Sequence, residues 1–461
     1  MIFILALCFF SGLSAQETAT IIVNSNHAVE IDSVEIEVMV PYGTWSFPNS
    51  SIKYKLPSGD IPAKFVVKTY ASPVYFSLRV GGRYFSGNIV ESRDSLHIEV
   101  LNNELNYRGR GALKNQIIEG FRQRSRDLAE GMRFNDPILI KREFIKRDEM
   151  ALLKIKDLRK FKEILGPIVF TMIQADIVGE NCAKYSYLLR YVQPNEMGPF
   201  ISALQSYEPH ETLVDIKSNL LGNPISAHSS RFTAALIEEY RFFTFFINGM
   251  PENFKKIVRH FSALDEGPLK ERLLFYLIYR NKRMNEAITS IDDVLEYIRN
   301  PLFANSLSDL KSAYNNKNSL ANYTLRGQNG QIYNLSELKG QVVVMDFWYT
   351  GCPACPEIVP FLSKLEDKFQ GKQVRFVSVS IDKDINKWRK SVASGLYTTD
   401  NGLHLFSGER GKSHPLIKDF FITAYPTILV FDRDGHIARI PRDPRQDGAQ
   451  DLTYLLNELL K

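Results

Sequence analysis

Cysteine is scarce in this sequence, with four residues in 461. One C-x-x-C is present, at Cys352-Pro353-Ala354-Cys355, and no two histidines stand at H-x3-5-H spacing. A structural zinc site needs four ligands and finds no donor set in that pattern. Covalent haem attachment needs a histidine after the second cysteine, and Pro356 occupies that place. No metal or other cofactor is expected. Long apolar runs are missing too: Ile2 to Phe10 is too short to span a bilayer, and no later run is long enough.

Ile2 to Phe10 is followed by Ser11-Gly12-Leu13-Ser14-Ala15, the small residues of a cleavage site before Gln16, and reads as a secretory signal. Leu7 before Cys8 argues against lipidation. Cleavage after Ala15 is expected to give a chain with no transmembrane helix, located in the cell envelope and, within it, the periplasm. The mature chain keeps Cys182, Cys352 and Cys355. Cys182 ends the helix-like stretch Ile173 to Cys182, where a buried thiol is an ordinary small hydrophobe.

The remaining pair carries the chemistry. Cys352 follows the apolar run Val342-Val343-Val344-Met345-Asp346-Phe347-Trp348, which reads as a buried parallel strand. A helix starting at Cys352 would hold Pro353 in its first turn and aim unpaired amides at the Cys352 sulfur, favouring thiolate. Cys355 would lie one turn on, close enough to close a disulfide ring. Asp346 is a carboxylate inside that strand, either reaching solvent at a strand end or buried as a proton acceptor for Cys355. Ala424-Tyr425-Pro426-Thr427 runs into Ile428-Leu429-Val430-Phe431, so Pro426 is an edge-strand start or a cis-proline. Pro360 falls inside the helix after the dithiol and is expected to kink it.

In their order along the chain, Asp346, Trp348, the C-x-x-C, Pro360 and the Pro426-Thr427 pair resemble the thioredoxin superfamily. The resemblance implies that Cys352 attacks, Cys355 resolves, Asp346 accepts a proton and Pro426 is a cis-proline beside the substrate cleft. Trp348, Pro353, Ala354, Tyr425 and Thr427 are then the candidate substrate-contacting residues. Within the superfamily the chain is most similar to the TlpA/ResA-like envelope proteins. A hairpin from Tyr323 to Leu335 turning at Gln328-Asn329-Gly330 opens their domain, and the span before Pro426 has room for a strand Val374 to Ser380 and a helix around Trp388. What the likeness implies is a thiol-disulfide oxidoreductase acting on protein thiols and disulfides, served by an unidentified membrane electron donor or acceptor.

The sequence also departs from that family. Ile358 stands where a glutamate is frequent, with Glu357 one residue earlier; Gly351 replaces a tryptophan, which opens the rim; Pro356 replaces a basic residue. Two other functions compete. A peroxiredoxin (AhpC/TSA-like) peroxidase of the same fold would need threonine at 349 and proline at 345, where Tyr349 and Met345 stand. A binding or scaffold protein would use the dithiol as a fixed crosslink.

The rest of the chain divides by pattern. Residues 19–107 read as short alternating strands, including Ile21 to Val23, Val34 to Val40, Ala63 to Lys68, Val74 to Val80 and Leu96 to Val100, which is the pattern of an all-β sandwich. Residues 108–316 read as helical, with stretches such as Phe144 to Leu165 and Arg231 to Phe246. The aromatics from Tyr240 to Phe246 read as packing residues. Arg108 to Glu163 holds 16 Lys or Arg against 9 Asp or Glu, a solvated basic face or a surface for an acidic partner. Nucleic acid is not expected outside the cytoplasm. The expected architecture is thus multidomain: signal peptide 1–15, β-sandwich 19–107, all-α region 108–316 and an α/β thioredoxin-like fold 318–461.

Overall fold

The computed structural model describes residues 18–461 apart from 26–32, 40–50, 58–61, 70–72, 82, 102–103, 130–135, 192–196, 251, 283 and 315–318. The signal segment 1–15 lies outside the described residues. Two compact units are formed, Met1–Asn253 with Ala263–Leu273, and Phe254–Ser262 with Leu274–Lys461.

The first unit begins with β1 (Thr18–Ser25), β2 (Ser33–Met39), β3 (Ser51–Pro57), β4 (Ala63–Lys68), β5 (Val74–Val80), β6 (Arg83–Val90), β7 (Ser95–Leu101) and β8 (Glu104–Arg110). They make two four-stranded sheets, ordered β4-β1-β7-β8 and β3-β2-β5-β6. Period-two alternation gives each sheet one apolar face. Ala63, Phe65 and Val67 of β4 join Ile36, Phe76, Leu78 and Ile98 in one core between the sheets. The sandwich is therefore as expected, with three strands, β3, β6 and β8, beyond the five read from the sequence. β3 carries Lys53 and Lys55 and pairs on one side only. Gly87, at φ 74°, interrupts β6 opposite a register shift between Phe76 and Leu78. β8 ends in Arg108-Gly109-Arg110 and runs past Tyr107.

Helices follow: α1 (Ala112–Ala129), α2 (Ile140–Arg159), α3 (Lys162–Tyr191), α4 (Met197–Leu204), α5 (Glu211–Leu221) and α6 (Ser230–Arg241). The stretch Phe144 to Leu165 is divided between α2 and α3, and α3 itself bends at Gly166-Pro167. Phe242–Phe246 continues α6 as a π-helical turn, with Phe242 and Phe246 stacked 5.2 Å apart inside the core. Much of the basic excess is consumed internally. Lys114 pairs with Glu91 and Asp94, Arg122 with Glu119, Arg124 with Asp157 and Lys154 with Glu180. Lys184 is buried against Asp148, whose other oxygen accepts from Tyr207 at 2.7 Å.

The second unit takes in α7 (Phe254–Ser262), the part of α8 (Pro268–Arg280) from Leu274, single-turn α9 (Asn285–Thr289) and α10 (Ile291–Leu295), and α11 (Pro301–Tyr314). Phe275 of α8 stacks on Phe303 of α11 with ring centroids 4.3 Å apart. Contact thus divides the helical stretch 108–316 between two units, where pattern alone treats it as one piece.

Beyond α11 the unit is a central sheet flanked by helices. Its strands are β9 (Thr324–Arg326), β10 (Ile332–Asn334), β11 (Val342–Trp348), β12 (Val374–Ser380), β13 (Leu403–Phe406), β14 (Thr427–Phe431) and β15 (Ile437–Arg439), in the order β10-β9-β13-β12-β11-β14-β15. β11, β12 and β13 are parallel, and β14 runs antiparallel to β11. α12 (Val359–Lys368), α13 (Ile385–Ala393), α14 (Pro415–Asp419), α15 (Pro444–Asp447) and α16 (Gln450–Leu459) complete it. The hairpin β9–β10, the strand Val374–Ser380 and the helix holding Trp388 all stand where the sequence puts them.

Candidate active site

β11 is buried along its whole length, which explains its unbroken apolar run. Val343, Met345 and Phe347 face one core layer, while Val342 and Val344 face the other with Ile358, Leu362 and Leu365 at the start of α12. Alternation places Asp346 and Trp348 on this second face, under the helix that follows the dithiol. Asp346 is 8% exposed, so of the two readings open at a strand end, burial holds. Ser378, its register partner on β12, donates to Asp346 Oδ2 at 3.1 Å, and Trp348 Nε1 donates to Ser378 Oγ at 2.8 Å. Burial pushes the Asp346 carboxyl up to about 7, helped by the Glu366 charge and opposed by the Ser378 hydrogen bond.

From Trp348 the chain turns through Tyr349-Thr350-Gly351, with Gly351 at φ 93°, where a side chain would be strained. Cys352 and Cys355 form a disulfide with Cα atoms 5.5 Å apart. The expected helix start needs correction. Cys352 N–H bonds the Tyr349 carbonyl at 3.1 Å in a turn, and Cys355 is the residue that caps a 3-10 turn Pro356–Ile358 leading into α12 at Val359. Pro353 would be harmless in a first turn, but Pro356 lacks the N–H that a helix from Cys352 would need one turn on. The first helical amides consequently come after Cys355. Pro360 sits in the first turn of α12, where its missing N–H is harmless, so the expected kink does not arise.

The disulfide is covered. Cys352 is 2% and Cys355 1% exposed, packed with Trp348, Trp388 and Phe406. Tyr397, half-buried in the segment after α13, stacks on Trp348 at 4.9 Å, and its hydroxyl accepts the Gly351 N–H at 3.0 Å. The rim that glycine was expected to open is closed by this tyrosine. Asp382, just past β12, accepts from Thr350 N–H at 3.2 Å and Thr350 Oγ1 at 2.6 Å and from Ser380 Oγ at 2.8 Å. Removing the cover with Tyr397→Ala is expected to speed reduction of the disulfide by dithiothreitol about tenfold, since access limits exchange at covered sulfurs. Stopped-flow tryptophan fluorescence, to which Trp348 and Trp388 beside the disulfide contribute, checks it, and an unchanged rate refutes the cover.

Opposite the dithiol, the Tyr425–Pro426 bond is cis, and Thr427 begins β14 beside Phe347 of β11. β14 lies between β11 and β15, so the edge-strand alternative for Pro426 falls away. Thr427 Oγ1 donates to the Ala424 carbonyl at 2.6 Å. Tyr425 packs against the disulfide cluster and meets Tyr349 edge-on at 5.5 Å. Among the described residues its buried hydroxyl has no hydrogen-bond partner, and burial with the neighbouring Tyr349 pushes it up to about 12. Cys352, Cys355, Trp348 and Tyr425 therefore come together, with Asp346 linked to Trp348 through Ser378 and Pro426 following Tyr425 in the chain.

The candidate contact residues differ in exposure. Trp348 is 1% and Thr427 4% exposed, so their side chains are buried in the oxidised chain. Pro353 is exposed and Ala354 half-buried. Tyr397, Asp382 and Ser378 escaped the sequence reading; their one signal is position at or after parallel β12, whose C-terminal end lies beside that of β11. A cation missed from sequence also arrives: Arg445 of α15 donates to Glu357 Oε2 at 2.6 Å, next to Pro356.

The family model described as thioredoxin-like matches residues 340–437. The thiol-disulfide oxidoreductase ResA of Bacillus anthracis is 25% identical over 116 residues, 25% of this chain and 63% of that protein. The thioredoxin-like protein YneN of Bacillus subtilis is 26% identical over 118 residues, 26% of this chain and 66% of its own. The chain thus spans a little under two thirds of the curated relatives it matches. A putative thiol-disulfide oxidoreductase from Bacteroides vulgatus, solved in solution, is 30% identical over 30% of this chain and 87% of its own, with a TM-score of 0.26. The C-terminal part of this chain, residues 340–437, is thus a thioredoxin-like domain.

Proposed function

We propose that this protein is a thiol-disulfide oxidoreductase of the bacterial cell envelope that exchanges disulfides with protein substrates through Cys352 and Cys355. The observation that carries the reading is the Cys352–Cys355 disulfide just past the C-terminal end of β11, a strand that also holds the buried Asp346, packed against Tyr425. The envelope assignment rests on the apolar segment Ile2 to Phe10 and the small residues after it. Among the described residues no helix is long and apolar enough to cross a membrane. The segments 19–107, 108–316 and 318–461 are the proposed organisation, with the last carrying the chemistry.

In the reducing direction, the Cys352 thiolate attacks one sulfur of a substrate disulfide and expels the other as a thiolate. Asp346 takes the Cys355 proton, and the Cys355 thiolate then attacks Cys352 Sγ, releasing the second substrate sulfur. Two electrons pass from the dithiol to the substrate, the chain is left with its disulfide, and the released thiolates take up protons from solvent and from Asp346. A membrane-borne dithiol donor restores the reduced pair; run backwards, the same steps oxidise a substrate dithiol. Pro426 and Tyr425 align the partner's backbone, and Pro353 and Ala354 are available at the surface beside it.

Equilibration of the full chain with glutathione or dithiothreitol buffers tests the proposal. A potential between about −120 and about −270 mV is expected for an exchanging pair, and resistance to reduction well below about −300 mV would make it a fixed crosslink.

A further inference from the structure

The loop that faces the disulfide is held from outside the thioredoxin-like fold. Phe275, Tyr279 and Lys282 are spaced i, i+4 and i+7 along α8 and the turn that ends it, so they form one stripe. Asn281 N–H still bonds the Leu277 and Ile278 carbonyls, which carries the helical path towards Lys282. Phe275 fixes the stripe against Phe303 of α11. Tyr279 meets the Phe421 ring edge-on at 6.5 Å. Lys282 Nζ donates to Thr423 Oγ1 at 3.1 Å and lies 4.3 Å over the Tyr279 ring.

This is an uncommon use of lysine. Lys282 is 7% exposed, and lysines are rarely buried without such partners. The loop is tied at its far end by the Thr427–Ala424 hydrogen bond and by Tyr425, whereas at its start Thr423 is exposed and the chain enters through Phe421 at φ 50°, a left-handed conformation unfavourable for a side chain. From Thr423 the chain runs through Ala424 and Tyr425, which packs against the disulfide cluster, into Pro426. A shift at Thr423 is thereby passed to the residues beside Cys352.

We propose that Lys282, seated on Tyr279, is a positioning residue for the 423–427 loop, so that helices upstream of the thioredoxin-like fold set how well a polypeptide disulfide docks at Cys352. The inference rests on the reading of this chain as an exchanger of protein disulfides. An extended polypeptide is recognised through its backbone, so docking depends on where the loop's own backbone lies. A small aromatic disulfide needs only the Cys352 sulfur.

The experiment compares full-length wild type, Lys282→Met, Lys282→Arg, Thr423→Val and the Lys282→Met/Thr423→Val double variant on insulin and on 4,4′-dithiodipyridine. Lys282→Met keeps the aliphatic stem and removes the donor; Thr423→Val removes the acceptor from the exposed side and guards against a folding defect at the buried lysine. Each single variant is expected to lose about tenfold in kcat/KM on insulin, through KM, while its rate with the small disulfide stays within about twofold. The double variant should lose no more than either single one, and Lys282→Arg should recover most of the loss. Wild-type KM on insulin in both single variants, or equal losses on both substrates, overturns the positioning role. A wild type that reacts with the small disulfide but not with insulin instead overturns the functional reading beneath it.

Discussion

Cys355→Ser is expected to leave the chain covalently joined to its substrates, and Cys352→Ala to abolish exchange. The first step needs only Cys352, so Cys355→Ser still attacks a disulfide but cannot release the partner, and adducts accumulate that dithiothreitol dissolves. Loss of the nucleophile itself removes the covalent route, and a fall of at least about a thousandfold in exchange rate is expected. Cys182 cannot substitute. It is 5% exposed within α3, and burial pushes its thiol up to about 12, far from a reactive thiolate at neutral pH. Non-reducing electrophoresis of envelope extracts from cells carrying each variant, followed by mass spectrometry of the shifted bands, makes the check. Adducts that persist in the Cys352→Ala/Cys355→Ser double variant, or exchange that survives Cys352→Ala, would sink the assignment.

What the sequence made legible was local. The C-x-x-C, Asp346 in an apolar strand and Pro426 before another each violate or punctuate a simple pattern within a few residues, so they stand out without knowledge of the fold. The hairpin at Gly330 and the strand Val374–Ser380 are legible for the same reason. β3 alternates strictly as Ile52-Lys53-Tyr54-Lys55-Leu56 and was legible in principle; β6 and β8 are less so, because Gly87 and Gly109 break their alternation, and pairing with neighbours supplies what propensity lacks. The dithiol turn was misread because Pro353 suits a first helical turn, while Pro356 and Pro360 together move the helix start beyond Cys355. Tyr397, Asp382, Lys282 and Arg445 are ordinary surface types in sequence. Their significance comes only from partners far along the chain: Gly351, Thr350, Thr423 and Glu357.

Asp346→Asn is expected to stabilise the oxidised protein at neutral pH while slowing its chemistry. The carboxyl is raised from 3.8 to about 7 in the folded chain, chiefly by burial. A folded state that holds the proton more tightly than the unfolded one is favoured at low pH. That contribution is complete below about pH 4, declines as pH rises towards 7 and is gone above it, at a cost of about 4 kcal/mol for a displacement of this size. Asparagine has no proton to lose and still offers an oxygen to Ser378, so the variant should match wild type near pH 4 and exceed it by up to about 4 kcal/mol at pH 8. Urea denaturation of the oxidised chain at the two pH values measures the difference; an equal gain at both would refute burial as the cause. The same substitution removes the group proposed to take the Cys355 proton. Release of a preformed mixed disulfide at pH 7 should slow about a hundredfold, the scale of one positioned base, and should regain rate as rising pH ionises Cys355 directly. If release is unchanged and its pH profile unmoved, the buried carboxyl is not the acceptor, and its cost to stability has no return in this reaction.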